Sequence, residues 1–396
     1  MYSIVSFKVK DLENFLNKIS NPITLTFAGD FVPNKKTLKL IHENRMQEFA
    51  PEVSKKLKQS DFSIVNLEAP LTTKKNPIEK TGNNFMAHPD NAKLIKDMGF
   101  DAVTLANNHI LDQNNKGVFD TINSCEKVGL KTVGASKNLE SAKEPLIIEV
   151  KNKKIGIINL CEQEFNIATE NTSGANPFTA IDAYYQISDL KPKVDHLIVI
   201  FHGGLEYHHI PLPGFLKNCK FMVDCGADAV VCHHTHYISG YEYYKNKPIF
   251  YGLGNFFAES RRKDDELIYS FILSLVIDNN NEIQFKIHGI KIDTVSTKVK
   301  IENDNKIEKL IDKYNSIMNN KTEFSSYWEE IIKCKSPRYI NLITSKSKIE
   351  YQIKKRIPFL NITNKLTSQR IKNLIRCESH REILFAVLEN KNKEKI

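Results

Sequence analysis

Seven short apolar runs rich in β-branched residues recur between residues 23 and 257 of this chain. They are "ITLTFAGD" (23–30), "FSIVNLEAP" (62–70), "DAVTLANNH" (101–109), "KIGIINL" (154–160), "HLIVIFHGG" (196–204), "ADAVVCHHTH" (227–236) and "KPIFYGLGNFF" (247–257). Such short continuous runs are typical of strands buried on both faces of a sheet. Stretches with helical spacing separate many of them, as in "HPDNAKLIKDMGF" and "PGFLKNCKFMVDCG". This alternation predicts an α/β domain with much parallel strand pairing.

The pattern changes after the last of these runs. "ELIYSFILSLVIDNNNEIQFKIHGIKI" predicts two strands joined by an Asn-rich turn, an antiparallel hairpin. Beyond residue 300, "NKIEKLIDKYNSIM" and "EFSSYWEEIIKC" carry helical periodicity, and Ser379 with Glu382 fits a capping box before "ILFAVLEN". We therefore predict three parts: a lead-in (1–22), an α/β domain (23–293) and a basic helical extension (294–396).

Most of the net charge of +9 lies in the C-terminal quarter of the chain. From residue 301 onward the chain has 20 Lys and Arg residues and 12 Asp and Glu residues, which gives a net charge of +8. One interpretation is a solvated helical surface, and the other is attraction to an acidic partner such as a polyanion or a membrane surface. No arginine–aromatic interleaving or nucleic-acid motif accompanies this charge, so we expect no nucleic-acid partner.

The sequence also bears on location. No apolar run approaches the ~18–20 residues of a transmembrane helix, and charged residues interrupt the first twenty positions, unlike a signal peptide. The seven cysteines are scattered and never spaced as Cys-x-x-Cys, which indicates a reducing compartment and no thiolate zinc site. We predict a cytoplasmic location, with peripheral association at a membrane left open by the basic extension.

Polar side chains follow the predicted strands at the points where the strands end. The carboxyl ends of parallel strands lie along one edge of a sheet, where ligands bind, so segments far apart in sequence should converge on one cleft. The side chains at these ends are Asp30, Asn66, Glu68, Asn107, Asn108, His109, His202, Glu206, His233, His234 and His236.

Carboxylates and imidazoles are the ligands that Zn, Mn or Fe ions accept in proteins. An Asp, a Glu, an Asn carbonyl and three His suffice for two adjacent divalent ions, with Glu68 bridging them. Two ions about 3.5–4 Å apart can activate a water for in-line displacement at phosphorus, and His109 would protonate the leaving oxygen. Taken singly, a strand-end His is more often structural, and Asp30 or Asn107 could cap a helix. Their joint occurrence at successive strand ends favours the metal site.

These motifs resemble those of the CapA family, the capsule or poly-γ-glutamate biosynthesis proteins of the calcineurin-like metallophosphoesterase superfamily. The family's landmarks occur here in order, over roughly residues 23–293. They are "AGD" (28–30), "NLEAPLT" (66–72), "LANNHILD" (105–112), "FHGGLEYH" (201–208), "HHTH" (233–236) and "YGLGNFF" (251–257).

The resemblance implies a four-layer, metallophosphoesterase-type α/β sandwich with a dinuclear metal centre, followed here by the C-terminal helical extension. The metal ligands it implies are Asp30, Glu68, Asn108, His202, His234 and His236. The resemblance implies His109 as the catalytic acid, and we expect Asn107, two residues before it, to be a catalytic residue as well. The residues expected to bind substrate or to support the ligands are Asn66, Glu206, His208, His233 and Asn255. Because His233 adjoins His234, an extended backbone would point its side chain away from the ions.

The chain departs from the pattern at several positions. The Asp-x-His that opens the superfamily's first motif lacks its histidine, since Val32 stands two residues after Asp30, and one ion is therefore expected to be weakly held. Gly203 stands where family members often have Trp, and Asn114 replaces the Gly of an Asp-x-Gly. None of these changes removes one of the implied ligands.

The function we predict is that of a CapA-like metal-dependent phosphoesterase in bacterial capsule or surface-polymer synthesis. Its substrate would be an anionic or phosphorylated molecule or polymer precursor, and capsule-synthesis proteins would be its partners. One alternative is a di-metal amidase or transferase acting on γ-glutamyl or acyl-amide bonds. Another is a non-catalytic subunit that handles the polymer. The ligands do not separate the two enzymes, because an activated water attacks either centre.

Overall fold

A computed structural model describes residues 21–259, 264–343 and 365–393. Almost all of the predicted lead-in (1–22) lies outside the described residues. The strands are β1 (Ile23–Phe31), β2 (Phe62–Leu67), β3 (Ala102–Thr104), β4 (Lys131–Val133), β5 (Ala135–Ser136), β6 (Leu146–Val150), β7 (Lys153–Cys161), β8 (Gly174–Ala175), β9 (His196–His202), β10 (Ala229–His233), β11 (Tyr241–Tyr244), β12 (Lys247–Phe250), β13 (Asn255–Phe257), β14 (Tyr269–Ile277), β15 (Ile283–Asp293) and β16 (Lys298–Ile301). The helices are α1 (Lys35–His42), α2 (Pro51–Leu57), α3 (Asn91–Met98), α4 (Asn114–Lys127), α5 (Leu139–Ala142), α6 (Ala180–Leu190), α7 (Pro213–Asp224), α8 (Lys306–Asn319), α9 (Lys321–Ile343), α10 (Lys365–Arg376) and α11 (Glu378–Lys393).

The long strands form two mixed sheets. The first has the order β16-β15-β14-β1-β2-β3-β4, with β13 also paired to β1, and the second has the order β11-β12-β10-β9-β7-β6. Strands β1 to β4 run parallel, as do β7, β9, β10 and β12. The antiparallel pair β14–β15 is the hairpin that the sequence predicts, and it extends the first sheet. Strand β16 continues this sheet beyond residue 293.

Three hydrophobic clusters separate the layers of the molecule. Successive strand residues face opposite sides of a sheet, so Ile64 packs between the two sheets while Val65 packs under the helices on the outer face of the first sheet. In the second sheet, Ile200 faces the first sheet and Val199 faces α6, α7 and the C-terminal helices. Three apolar interfaces stack four layers, and the predicted four-layer α/β sandwich is confirmed.

The C-terminal segment is helical, as the sequence predicts, and it packs on the second sheet's helices. Ile383 and Val387 of α11 are fully buried in the cluster that contains Phe215 of α7. Among the described residues, no helix has the length and apolar character needed to cross a bilayer.

The capping box predicted at Ser379 is wrong. Helix α11 begins at Glu378, so Ser379 lies inside the helix. Its hydroxyl donates to the carboxylate of Glu162 at 2.8 Å, and the carboxylate of Glu382 accepts from the backbone N–H of Gly214 at 2.7 Å. The side chains of Ser379 and Glu382 therefore bind Glu162 and Gly214, which are distant in sequence, instead of the backbone at the start of their own helix.

The backbone of Gly29 in β1 comes very close to that of Gly254, the residue before β13, and this close approach gives a stability prediction. An added Cβ at Gly29 would lie 1.9 Å from the carbonyl oxygen of Gly254, which accepts a hydrogen bond from Asp30 N at 3.2 Å. Overpacking of this kind costs about 1–3 kcal/mol, so we expect Gly29→Ala to lower the free energy of unfolding by that amount. Chemical denaturation checks this, and an unchanged free energy of unfolding would contradict the close approach.

Candidate metal centre

The predicted strand-end residues meet along one edge of the two sheets. In the first sheet Asp30 is in register with Asn66 of β2 and with Asn255 of β13. In the second sheet His202 is in register with His233, and both are the last residues of their strands. The two edges adjoin, since the side chain of His202 lies 3.2 Å from that of Asn66. Residues from six distant segments therefore line one cleft.

Four side chains form what we call the His202 cluster: Glu68, Asn108, His202 and His234. The Nε2 atom of His202 lies 3.1 Å from Asn108 Oδ1 and 3.6 Å from Glu68 Oε1. The Nδ1 atom of His234 lies 3.1 Å from the same Nε2 atom. Two imidazole nitrogens, an amide oxygen and a carboxylate oxygen thus surround one small volume, a donor set suited to Zn, Mn or Fe.

Asp30, Glu68 and His236 form a second group, which we call the His236 cluster. The Nδ1 atom of His236 lies 3.3 Å from Asp30 Oδ2 and 3.9 Å from Glu68 Oε2. The ligand atoms of this group all lie within 4.8 Å of one another, as do those of Glu68, His202 and His234. Glu68 belongs to both clusters, with Oε1 near His202 and Oε2 near His236, which is the arrangement of a bridging carboxylate.

Glu68 also provides the test of whether these residues fit metal ions. Its side chain is fully buried, and neither carboxylate oxygen has a hydrogen-bond partner among the residues that the structure describes. Burial, together with the charge of Asp30, raises the pKa of Glu68 well above its ordinary value. Protonation would not supply the missing partners, and an unpaired buried carboxylate is costly. A cation on each side would satisfy both oxygens, so the residues fit two divalent ions.

The histidines differ in their electrostatic surroundings. Burial lowers the pKa of His202 well below its ordinary value, with His234 adding to the effect, and burial lowers the pKa of His234 to about 4. Both are therefore neutral imidazoles, the form that binds metal. At His236 burial acts the same way, but the carboxylates of Glu68 and Asp30 outweigh it and raise the pKa to about 10. The carboxylates thus favour the positively charged form of the His236 imidazole.

The loop after β10 turns the histidines toward the cleft through an uncommon backbone conformation. His234 has φ 94° and His236 has φ 59°, both in the left-handed region that non-glycine residues rarely adopt. The expectation that His233 points away assumed that the extended backbone continues into His234, whereas β10 ends at His233 and His234 is left-handed. The Nδ1 atom of His233 instead lies 3.8 Å from Asp30 Oδ1. His233 therefore borders the His236 cluster.

Two asparagines hold the ligands in place. Asn66 Nδ2 donates to Asp30 Oδ1 at 2.7 Å, and Asn66 Oδ1 accepts from Asn107 Nδ2 at 3.2 Å. Asn107 is fully buried, and its amide also binds the carbonyl of Leu67 and the backbone N–H of His109. Both ends of the Asn107 amide are engaged by the protein, so its contacts are those of a scaffold for the loop that carries Asn108 and His109.

His109 lies beside the clusters in a pocket built by residues that sequence reasoning missed. Its Nδ1 atom lies 2.6 Å from Asp112 Oδ2 and 3.2 Å from Lys80 Nζ, and Lys80 forms an ion pair with Asp112. The ring of Phe85 stacks on the imidazole with centroids 4.0 Å apart. Because Nδ1–H donates to Asp112, Nε2 is the nitrogen that can exchange a proton. Asp112 could have been found as the last residue of "LANNHILD", but nothing in the sequence marks Lys80 or Phe85.

The other predicted residues occupy different surroundings. Asn255 Oδ1 lies 3.1 Å from His236 Nδ1, and Glu206 Oε1 lies 4.0 Å from His236 Nε2. The Nδ1 atom of His208 lies 3.4 Å from the hydroxyl of Tyr327, on α9. Asn255 and Glu206 thus flank the His236 cluster, whereas this contact of His208 is made to the C-terminal helices.

Glu164 is a further residue at the site that no sequence signal indicated. Its Oε1 atom lies 3.9 Å from His234 Nε2. Burial, with a smaller effect of Glu206, raises the pKa of Glu164 to about 7. The carboxyl group of Glu164 therefore lies next to the His202 cluster, near the Nε2 atom of His234.

Comparison with known proteins gives matches over the α/β part of the chain. The model of the family described as bacterial capsule synthesis protein PGA_cap matches residues 24–260. The capsule biosynthesis protein CapA of Bacillus anthracis is 32% identical over 259 residues, 62% of this chain and 63% of that protein. The PGA biosynthesis protein CapA of Bacillus subtilis is 29% identical over 254 residues, 62% of this chain and 67% of that protein. A solved structure, a 5'-nucleotidase precursor from Thermus thermophilus, has a TM-score of 0.41 and 13% identity, covering 76% of this chain and 60% of that chain. The chain thus spans about two thirds of the length of the curated relatives it matches.

Proposed function

The chain belongs to the bacterial capsule synthesis protein family, and we propose that it is a dinuclear metal-dependent hydrolase acting in the synthesis of a bacterial capsule or surface polymer. The observation that carries the proposal is the fully buried Glu68. Its two oxygens have no hydrogen-bond partner in the ranges that the structure describes, and they face two clusters of potential ligands. A purely structural glutamate at this depth would be hydrogen-bonded. A pair of divalent ions, Mn, Fe or Zn, gives both oxygens a partner.

The residues around the clusters suit metal-assisted hydrolysis. Bound ions would supply a nucleophilic water at neutral pH and polarise the bond that is cut. The ligands for them would be Glu68, Asn108, His202 and His234 on one side, and Asp30, Glu68 and His236 on the other. Asn66 orients Asp30 through its 2.7 Å hydrogen bond.

His109 would act as the acid that protonates the leaving group. Its Nδ1–H is held by Asp112 at 2.6 Å, which fixes the tautomer and the direction of Nε2. Lys80 compensates the charge of Asp112. To act as the acid, His109 must be the imidazolium, which carries a proton on Nε2 as well as on Nδ1. Burial, with a further effect of Lys80, lowers the pKa of His109, which makes this imidazolium a stronger acid, and its Nε2 proton would pass to the leaving oxygen.

The substrate we propose is an anionic molecule or polymer precursor with a phosphoester bond, because two adjacent cations suit the oxygens at phosphorus. The names of the relatives support a second candidate, hydrolysis or transfer at an amide bond, since one of them is a PGA biosynthesis protein. We further propose that capsule-synthesis proteins are its partners and that it works in the cytoplasm, where its free thiols would be stable. Assay of the Mn- and Zn-loaded protein on a chromogenic phosphoester and on a γ-glutamyl anilide separates the two reactions.

Metal analysis tests the centre itself. We expect close to two divalent ions per chain in the purified protein and one in each of His202→Ala and His236→Ala, because each substitution disrupts one cluster. His288→Ala, on β15 of the first sheet, is a matched control that should keep both ions. Elemental analysis after exhaustive dialysis gives the stoichiometry. A wild-type chain with no bound ion would overturn the proposal.

A further inference from the structure

The two clusters differ in the number of donor side chains that they offer to an ion. The His202 cluster has four members, whereas the His236 cluster has three, Asp30, Glu68 and His236. The shortage agrees with the sequence, since Val32 stands two residues after Asp30, where the superfamily's first motif has a histidine. A fourth donor from another segment of the chain would remove it.

Strand β13 brings Asn255 to the place where that donor is needed. Asp30 of β1 is in register with Asn255. The backbone N–H of Val32 donates to the carbonyl of Phe257 at 2.8 Å, so the residue that replaces the histidine is joined to β13 through its backbone. Asn255 is 2% exposed, and its side chain is therefore enclosed with the cluster.

Two glycines allow β13 to lie this close to β1. Gly29 leaves no room for a Cβ against the carbonyl of Gly254. Gly254 itself has φ 78°, a left-handed conformation that glycine adopts without strain, and an added Cβ there would lie 2.7 Å from Ser270 Cβ. The hydroxyl of Ser270 donates to the carbonyl of Asn255. These contacts fix the backbone of Asn255 and leave its side chain available to the cluster.

The amide oxygen of Asn255 faces the atom by which His236 joins its cluster. Asn255 Oδ1 lies 3.1 Å from His236 Nδ1, and Asp30 Oδ2 lies 3.3 Å from the same nitrogen. The amide nitrogen of Asn255 lies 3.5 Å from the carbonyl oxygen of His236, which keeps Oδ1 on the side of the cluster. Metal–ligand bonds of about 2.0–2.2 Å place neighbouring nitrogen and oxygen ligands of one ion roughly 3.0–3.5 Å apart. Both separations lie in that range.

The His202 cluster contains the same arrangement. Asn108 Oδ1 lies 3.1 Å from His202 Nε2, and the Asn255 oxygen lies at that distance from its own histidine. Because Asn108 is a proposed ligand, the equal separation supports the same role for Asn255. Each ion would then have an asparagine oxygen, the shared carboxylate of Glu68 and two further side chains.

We propose that Asn255 is the fourth protein ligand of the ion in the His236 cluster, bound through Oδ1. This inference rests on the proposed function, because it presupposes bound ions. The alternative is that Asn255 only accepts a hydrogen bond from His236 Nδ1 and orients the ring. Groups that orient metal ligands in this way contribute about 10- to 100-fold to metal affinity, so loss of a ligand should exceed that range.

The test uses full-length chains reduced to one cluster each. His202→Ala leaves the His236 cluster, and His236→Ala leaves the His202 cluster. Asn255→Leu, which keeps the approximate size of the side chain and has no donor atom, is added to each chain. The Co²⁺ dissociation constant is measured by competition with a chromophoric chelator. We expect Asn255→Leu to weaken Co²⁺ binding by more than about 100-fold in the His202→Ala chain and to leave it unchanged in the His236→Ala chain.

Further measurements separate ligation from folding. Asn255→Asp keeps an oxygen at the same position, so the His202→Ala chain should still bind Co²⁺, with an altered visible absorption because the type of ligand has changed. A crystal structure with bound Co²⁺ should place Asn255 Oδ1 about 2.0–2.2 Å from the ion. Asn319→Leu, at the exposed end of α8, is a matched control that should change neither dissociation constant.

Two results would overturn the inference. A loss of Co²⁺ affinity below about 100-fold on adding Asn255→Leu to the His202→Ala chain would restrict Asn255 to orienting the ring. Equal weakening in both single-cluster chains would show general loosening of the fold. A wild-type chain that binds no ion would instead refute the proposed function itself, which distinguishes the two failures.

Discussion

Glu68→Gln is expected to abolish binding of both divalent ions and to reduce hydrolytic activity by more than about 10³-fold, because the carboxylate belongs to both clusters. The substitution keeps the size of the side chain and removes the charge that faces both clusters. No other described residue is shared by the two groups, so no other single change should have as large an effect on metal content. Elemental analysis and activity of the purified variant measure both quantities.

Stability measurements separate this role from a structural one. In metal-free protein Glu68 lacks a hydrogen-bond partner among the described residues, so Glu68→Gln should leave the free energy of unfolding unchanged or raise it. With metal present at 100 times its dissociation constant, each bound ion stabilises the wild type by about 2.7 kcal/mol, and the variant should gain nothing. Glu149→Gln, on an exposed face of β6, is the matched control. Metal-free destabilisation of several kcal/mol by Glu68→Gln would contradict the bridging role.

His109→Ala is expected to lower kcat by about 10²- to 10⁴-fold while both ions remain bound. The imidazole lies beside the cleft with Nδ1 held by Asp112, and it is not a member of either cluster. The fold should persist, because Lys80 still neutralises Asp112 once the imidazole is gone. The fall in kcat is measured by steady-state kinetics on whichever substrate, the phosphoester or the γ-glutamyl anilide, the wild type cleaves. Metal analysis of the variant shows whether both ions remain bound.

Asp112→Asn gives a companion result. The substitution keeps the shape of the side chain but weakens its hydrogen bond with the Nδ1 atom of His109. We therefore expect a smaller fall in kcat than for His109→Ala, with KM little changed. Full activity in His109→Ala would contradict the acid role. Restoration of polymer synthesis in cells by the His109→Ala variant would favour the second alternative, a subunit that handles the polymer without turnover.

The strands and the edge of the sheet that carries the site could be predicted from the sequence. The apolar runs that end in Asp30, His202 and His233 have a local cause, since strands buried on both faces require continuous apolar residues. The convergence of their ends follows from parallel pairing. The helical C-terminal segment was likewise visible in its periodicity.

Several residues around the site could not be predicted, in contrast to Asn66 and Asn107. Lys80 and Phe85 lie in a loop without a motif, and they reach His109 only because the chain folds back over the cleft. Glu164 meets His234 across a long sequence separation, and such a contact leaves no periodicity. Ser379 failed as a predicted N-cap for the same reason, since its hydroxyl is bound to Glu162, 217 positions away.

The sequence by itself determined where the main strands lie along the chain, the chemistry of the residues at their ends and the convergence of those ends, because these depend on local apolar periodicity and on the rules of parallel pairing. Only the tertiary structure decided that Glu68 is buried between two clusters with no hydrogen-bond partner in the described part of the chain. It also decided that the backbone takes a left-handed conformation at His234, and that Cys377 and helix α11 hold the loop after β7. These features arise from contacts between distant segments, whose geometry is set by the packing of the four layers.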